Sequence, residues 1–274
     1  MRGVVSAAMT AAIEDLGYAD CFDLVVGTSA GALNGAAMLA GVAAGCTDEY
    51  AGGFATRDFV NPVRMLFGRP AVDVEYVLDF NSAALDAGRH ARALASTTPL
   101  HCIATDVASA KPVALTGMST LDELRSALLA TSRLPWIGGR PVSFRERTWL
   151  DGGLTEPVPL PTALAEGATH VLVLLTRAFG TRLPPPGGLG DRLVARQLRA
   201  LNPDLAAAYY RRVPEYQAML DTLAGAADDG PPYVLTIAPD AGAPIPSRTD
   251  RDRGRLREAA THAREHATAV LTVD

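Results

Sequence analysis

The amino-acid sequence predicts an α/β fold with parallel strand pairing, and three observations carry that expectation. A short apolar run at residues 22–26 leads through a tight turn into a helix of small residues, which is half of a parallel βαβ unit. Further apolar runs alternate with helical patterns along the chain. With 274 residues, 48% of them hydrophobic, the chain can bury one large core.

Taken in order, Val5, Met9, Ala12, Ile13 and Leu16 recur at helical spacing and predict a helix over residues 4–16. The uncharged stretch after Met1-Arg2 has some of the look of a secretory signal. The helical period, and Glu14-Asp15 where a cleavage site needs small neutral residues, favour the helix. A strand at 22–26, a turn at 27–29 and a helix from Ala30 to about Gly45 follow. That last stretch is uncharged, yet its Ala and Gly content and Asn34 argue against a membrane span, which needs about 20 strongly apolar residues. Strands are expected at 100–105 and 112–115, with a helix at 121–130. Trp149-Leu150 end a strand that runs into Asp151-Gly152-Gly153. A short helix at 161–166 stops at Gly167 before a strand at 170–175.

The cluster Pro184-Pro185-Pro186-Gly187-Gly188 is the clearest breaker in the chain. It divides a core, residues 1–178, from a C-terminal extension, 191–274, through a Pro/Gly-rich linker, 179–190. The extension reads as helices at 191–201 and 203–226, a strand at 233–237 joining the core's sheet, and a charged helix at 250–269. It is expected to pack on the core.

The formal net charge is -5, from 25 basic and 30 acidic residues, and no Lys/Arg block stands out, so the chain carries no electrostatic footprint for nucleic acid. Cys21, Cys46 and Cys102 are odd in number, scattered and without C-x-x-C spacing; they read as reduced, packed thiols of a cytoplasmic protein. His262 and His266 lie four apart on a charged helix, but with no third ligand nearby they read as a solvated face, not a metal pair.

Gly27-Thr28-Ser29-Ala30-Gly31 is a Gly-x-Ser-x-Gly sequence set between a strand and a helix, the pattern of a nucleophile elbow. Such a turn exposes the serine Oγ and aims the first N–H groups of the helix, that of Ala30 above all, at an oxyanion on the attacked carbon. A phosphate-cradling loop would need a Lys-Ser/Thr ending that is missing here.

A serine hydroxyl needs a base. His170, His262 and His266 follow Asp151, so the order Ser, Asp, His is formally available. Only one strand candidate precedes Ser29, however, and none of these histidines lies in a turn-rich setting. Asp151 has the better claim, because it stands at a strand end with two glycines behind it. A partly desolvated carboxylate there has raised proton affinity and can take the serine proton directly.

Gly-Thr-Ser-Ala-Gly about 120 residues before Asp-Gly-Gly resembles the patatin-like phospholipase family. Arg2-Gly3 matches the end of that family's Gly-Gly-Gly-x-Arg-Gly loop, and Thr105-Asp106, Ser132-Arg133-Leu134-Pro135, Pro157-Val158-Pro159 and residues 192–247 look like segments of its bacterial members. The resemblance implies a three-layer α/β/α fold with a mostly parallel central sheet. It implies a Ser29–Asp151 dyad that cleaves lipid carboxylic esters, phospholipid or lysophospholipid, through an acyl-enzyme, with no metal or organic cofactor. Arg2, Gly3, Gly27, Thr28, Ala30, Gly31, Gly152 and Gly153 become the oxyanion and motif residues, while Asp106 and Arg133 are expected in structural roles, a turn and a surface or ion-pair contact.

The family's glycines ahead of Arg2 and its first strand fall before Met1. This leaves the expectation of a weakened oxyanion hole, with Gly3 and Ala30 as its donors. An impaired relative that binds lipid or a protein, and a Ser-His-Asp esterase, remain the alternatives. The partner implied is a lipid or ester substrate. Arg192, Arg196 and Arg199 alternate with Leu193, Val194, Leu198 and Leu201, which would suit transient contact with a membrane surface, although an amphipathic helix packed on the core is the more ordinary outcome.

Overall fold

The computed structural model describes residues 1–78, 86–135, 137–225 and 230–272. The chain runs α1 (Val4–Asp15), β1 (Val25–Thr28), α2 (Ala30–Leu39), α3 (Ala43–Ala51), α4 (Val74–Val77), α5 (Ala87–Ala95), β2 (Leu100–Asp106), β3 (Lys111–Leu115) and α6 (Leu121–Ser132). It continues with β4 (Val142–Phe144), β5 (Arg147–Asp151), α7 (Leu160–Ala165), β6 (His170–Leu174), α8 (Leu189–Leu201), α9 (Pro203–Ala224), β7 (Tyr233–Ile237) and α10 (Arg253–Leu271). This is the α/β class expected from the sequence, with helices around strands of mixed direction.

α1 is buried on every side, from Val4 to Ile13, as befits a helix whose residues are apolar all round. Its two hydroxyls turn back onto its own backbone, Thr10 Oγ1 donating to the Ala7 carbonyl at 2.8 Å and Ser6 Oγ to that of Gly3 at 3.2 Å. The C-terminal α10 covers it with the stripe Leu256, Ala259, Ala263 and Ala267, so chain ends remote in sequence share one core. Small side chains bring α2 close to β1; a Cβ on Gly35 would lie 2.8 Å from Val25 Cγ1.

β2 organises the larger sheet. β3 runs antiparallel along one edge, Cys102 opposite Leu115 through Asp106 opposite Lys111. The other edge is shared: β1 pairs in parallel with residues 100–103, and β5 pairs antiparallel with 104–106. β4 extends the sheet beyond β5. β6 and β7 pair in parallel as a sheet of their own, and among the described residues no strand bridges β6 and β1, although both line one cavity.

Four expectations need correction. β1 begins at Val25, not at residue 22, and takes in Gly27 and Thr28, because β2 holds the strand in register up to Thr28 opposite Ile103. The helix expected from Ala30 to about Gly45 is two helices, broken where Gly41 adopts φ +66° and ends α2. The 233–237 strand pairs with β6, but outside the sheet that holds β1 and β2. Of the three thiols, all free, Cys46 and Cys102 are buried while Cys21 is exposed. Residue 226, the expected end of the helix beginning at 203, lies outside the described residues, and Gly225 caps that helix.

Met9 is fully buried at the centre of α1. Met9→Ala is expected to cost about 2–5 kcal/mol in chemical denaturation, the range for emptying a packed core position.

Candidate active site

The shared edge of β2 sets the site. β1 ends at Thr28 opposite Ile103, and β5 ends at Asp151 opposite Ala104. Two strands arriving from opposite directions therefore finish against consecutive residues, and the residue after one, Ser29, meets the last residue of the other. Ser29 Oγ donates to Asp151 Oδ2 at 2.8 Å.

Ser29 has φ +55° and ψ −124°, a conformation that costs a non-glycine residue backbone strain. The turn can be this tight only because Gly27 has no side chain: a Cβ there would lie 2.4 Å from the Ala32 backbone. Gly31 differs, since nothing lies within 4 Å of its would-be Cβ; close packing accounts for one motif glycine and not the other. The strained turn is held by Thr131 on α6. Its hydroxyl accepts the Ser29 N–H at 2.8 Å and donates to the Ile103 carbonyl, so a side chain replaces the ladder bond where the backbone leaves the sheet. Thr28 Oγ1 adds a bond to the Glu156 carbonyl at 2.9 Å.

Asp151 is fixed from every side. Its N–H donates to the Arg133 carbonyl at 2.9 Å, and its own carbonyl accepts from Thr105 Oγ1 at 2.9 Å. Its Oδ1 accepts the Gly153 N–H at 2.7 Å, leaving Oδ2 for Ser29. Gly152 crosses β2 so closely that a Cβ would lie 2.1 Å from the Ile103 carbonyl oxygen and 3.1 Å from Thr28 Cγ2. Asp151 is 3% exposed. Burial raises its pKa above the usual carboxylate range, and the Gly153 N–H, the Ser29 hydroxyl and the charge of Arg248 pull it part of the way back.

The Arg2-Gly3 segment lies against the start of α2. A Cβ on Gly3 would fall 2.6 Å from Ala30 Cβ and 2.5 Å from the Tyr50 hydroxyl, so only glycine fits. Asn34, buried in α2, holds the segment there. Its Nδ2 donates to the Gly3 carbonyl at 3.0 Å and to Ser6 Oγ at 2.9 Å, while its Oδ1 accepts from the Tyr50 hydroxyl at 3.2 Å. Burial raises the Tyr50 pKa and keeps it a donor.

Ser29, Asp151, Arg2 and Gly3 all line a cavity of about 620 Å³ whose walls include Phe54, Phe59, Leu134, Ile137, Leu154 and Val158. Among the described residues no histidine hydrogen-bonds to Ser29 or Asp151. His170 Nδ1 sits 3.1 Å from Thr169 Oγ1, and His262 and His266 face Asp240 Oδ2 at 3.7 and 3.2 Å. Also among the described residues, no cluster of His, Cys, Asp and Glu has the grouping of a metal site.

Asp106 and Arg133 take the structural places expected of them. Asp106 Oδ2 accepts from the Ser109 N–H at 3.0 Å and hydroxyl at 2.7 Å, closing a turn. Arg133, itself buried, pairs with Glu75 at 2.7 Å. Sequence reading had not found Thr131 or Asn34 as parts of the site. Asn34 carried a signal, being the lone polar residue in an apolar helix; Thr131 sits in an ordinary amphipathic helix and carried none.

Ser29, strained between a strand and a helix of an α/β fold, has the backbone geometry of a nucleophile elbow. A family model described as Patatin-like phospholipase matches residues 1–164, and the chain belongs to this family of lipid acyl hydrolases. It is also similar to the uncharacterized protein YjjU of Escherichia coli (strain K12), with 28% identity over 162 residues. That match covers 57% of this chain and 43% of the YjjU chain.

Thr131→Val keeps the shape but leaves the Ser29 N–H and the Ile103 carbonyl without their partner. It is expected to cost about 1–3 kcal/mol in denaturant unfolding, with Thr131→Ser close to wild type.

Proposed function

We propose that the chain is a serine hydrolase of lipid carboxylic esters, with Ser29 as nucleophile and Asp151 as general base. The observation that carries this reading is the 2.8 Å bond from Ser29 Oγ to Asp151 Oδ2 on a strained elbow. Ser29 Oγ attacks the ester carbonyl carbon as its proton passes to Oδ2, and the oxyanion forms near the start of α2. The Ala30 and Gly3 N–H groups are the donors proposed for it; the loss of one such donor typically costs about 100- to 1000-fold in turnover. Collapse of the intermediate expels the alcohol, which takes the proton from Asp151 and leaves an acyl-Ser29 ester. Asp151 then removes a proton from water, which attacks the acyl carbonyl; collapse of that second intermediate releases the fatty acid as Ser29 Oγ takes the proton back from Asp151. The raised proton affinity of Asp151 suits it to both transfers. The aromatic and aliphatic cavity walls suit the acyl chain, phospholipid and lysophospholipid being the substrates proposed.

Among the described residues no helix is long and apolar enough to cross a membrane. α8 buries Ala195 and Leu198 but leaves Leu189 78%, Leu193 47% and Leu201 49% exposed beside Arg192, Arg196 and Arg199. These residues supply the contact with a lipid surface that such a hydrolase needs. Vesicles containing anionic lipid should carry the protein upward in flotation, and Leu189→Ser/Leu193→Ser/Leu201→Ser should leave it at the bottom. Equal flotation of the two proteins would count against α8.

A fluorophosphonate should add its mass to Ser29, and Asp151→Asn should abolish ester hydrolysis without unfolding the chain. His170→Ala and His262→Ala should both retain activity; loss with either would point to a triad. Because the base works ionised, kcat/KM should fall on acidification at a pH above the usual carboxylate range.

Stability should move the other way. A carboxyl whose pKa is raised by folding contributes stability that is fully present below its unfolded pKa and lost as pH rises through the folded one. Asp151→Asn should therefore raise Tm at pH 7, with the gain shrinking toward pH 4.

A further inference from the structure

The same cavity holds a second chemical feature that the hydrolytic steps do not use. Arg2, Arg177 and Arg248 all line it, together with Tyr216 and the Ser29–Asp151 pair. Arg2 is anchored by its Nε bond to Thr176 Oγ1 at 3.2 Å, next to Arg177 in the segment that follows β6.

Elsewhere the guanidinium groups of Arg133, Arg145, Arg255 and Arg264 meet carboxylates. Among the described residues, Arg2, Arg177 and Arg248 have no carboxylate within 4.0 Å, whereas Arg212, which also lines the cavity, faces Asp191 at 3.8 Å. Burial, then Arg248 and Arg177, bring the Arg2 pKa down to about 9, and burial also lowers that of Arg177. The Tyr216 hydroxyl, its pKa raised by burial, lies in the field of all three arginines. The field of Arg248 reaches Asp151 as well. Arg2 and Arg177 are half-buried and repel each other and the exposed Arg248, a cost that an anion would relieve. Guanidinium forks match the oxygens of a phosphate, and a phenolic hydroxyl adds a donor.

We propose that Arg2, Arg177, Arg248 and Tyr216 form a subsite for the phosphate of the substrate's head group, beside the ester that Ser29 attacks. The subsite rests on the hydrolase reading of Ser29 for its role, and on the arginine cluster alone for its affinity. It makes a phosphate-bearing acyl ester a better substrate than the neutral ester of the same acyl chain. The gain comes through binding, because the phosphate lies away from the reacting carbonyl.

The test has two arms. In the first, kcat/KM is measured for a 1-acyl-glycerol 3-phosphate and for the matched 1-monoacylglycerol, with wild type and with Arg177→Gln/Arg248→Gln. The ratio of the two values is expected to fall about 10- to 100-fold in the double variant, mainly through KM. A ratio within about twofold of wild type overturns the proposal. In the second arm, glycerol 3-phosphate and inorganic phosphate are titrated calorimetrically into Ser29→Ala protein with and without the double substitution.

Binding of glycerol 3-phosphate that the substitutions abolish supports the subsite even if wild type hydrolyses neither ester, an outcome that would sink only the hydrolase reading. Hydrolysis with unaltered phosphate binding overturns the subsite and leaves the hydrolase reading standing. Binding of inorganic phosphate without any preference for the phosphate-bearing ester overturns the head-group assignment. Arg177→Lys/Arg248→Lys, which keeps the charge but not the fork, should fall between wild type and the Gln variant and serves in its place if that variant does not fold.

Discussion

Two strand ends compete for one edge of β2, and the rest of the site follows from how that contest is resolved. β1 arrives in parallel and stops at Ile103; β5 arrives antiparallel and stops at Ala104. Neither can continue without displacing the other. Both chains must leave the sheet at the same point, one through Ser29 and the other through Gly152. A hydrogen bond between residues 122 positions apart is in this sense a consequence of sheet register. Gly27 and Gly152 are the places where the departing backbones come too close for a side chain.

Leaving a sheet abruptly exposes backbone polar groups in a dry interior, and hydroxyl side chains meet that cost. Thr131 stands between the Ser29 N–H and the Ile103 carbonyl, Thr105 takes the Asp151 carbonyl, and Thr28 reaches the Glu156 carbonyl. Asn34 does the same for the Gly3 carbonyl. Such buried networks stabilise only when nearly every member is satisfied, and they hold a strained backbone in one geometry. The cost that remains unmet is electrostatic. It consists of a carboxyl kept from water beside the serine and three arginines without acidic partners in the same cavity. Both are features a fold would shed if stability were its sole constraint.

Much of this was legible before any coordinates. The elbow was readable because its glycines and serine sit at fixed offsets between an apolar run and a helix, and α1, β2, β3 and α6 because their apolar patterns are local. The stretch from α3 to α5 was not readable: its helices are short, and 3₁₀ turns such as Pro62–Phe67 carry no strong period. Gly41 could have been read as a helix end, yet in an Ala- and Gly-rich run it looked like one small residue among many. The shared edge of β2 was invisible, since apolar period says that a strand exists and not which neighbour it takes.

The sequence by itself determined the α/β class, the family resemblance and the identity of Ser29 and Asp151 as the residues to watch, because each rests on local spacing. Tertiary structure alone decided that Ser29 pairs with Asp151 and with no histidine among the described residues, that Thr131 supports the turn, and that Arg2, Arg177 and Arg248 gather in one cavity. The physical reason is that local spacing acts through backbone geometry over a few residues. Burial, unpaired charge and strand register are set by segments a hundred or more residues away.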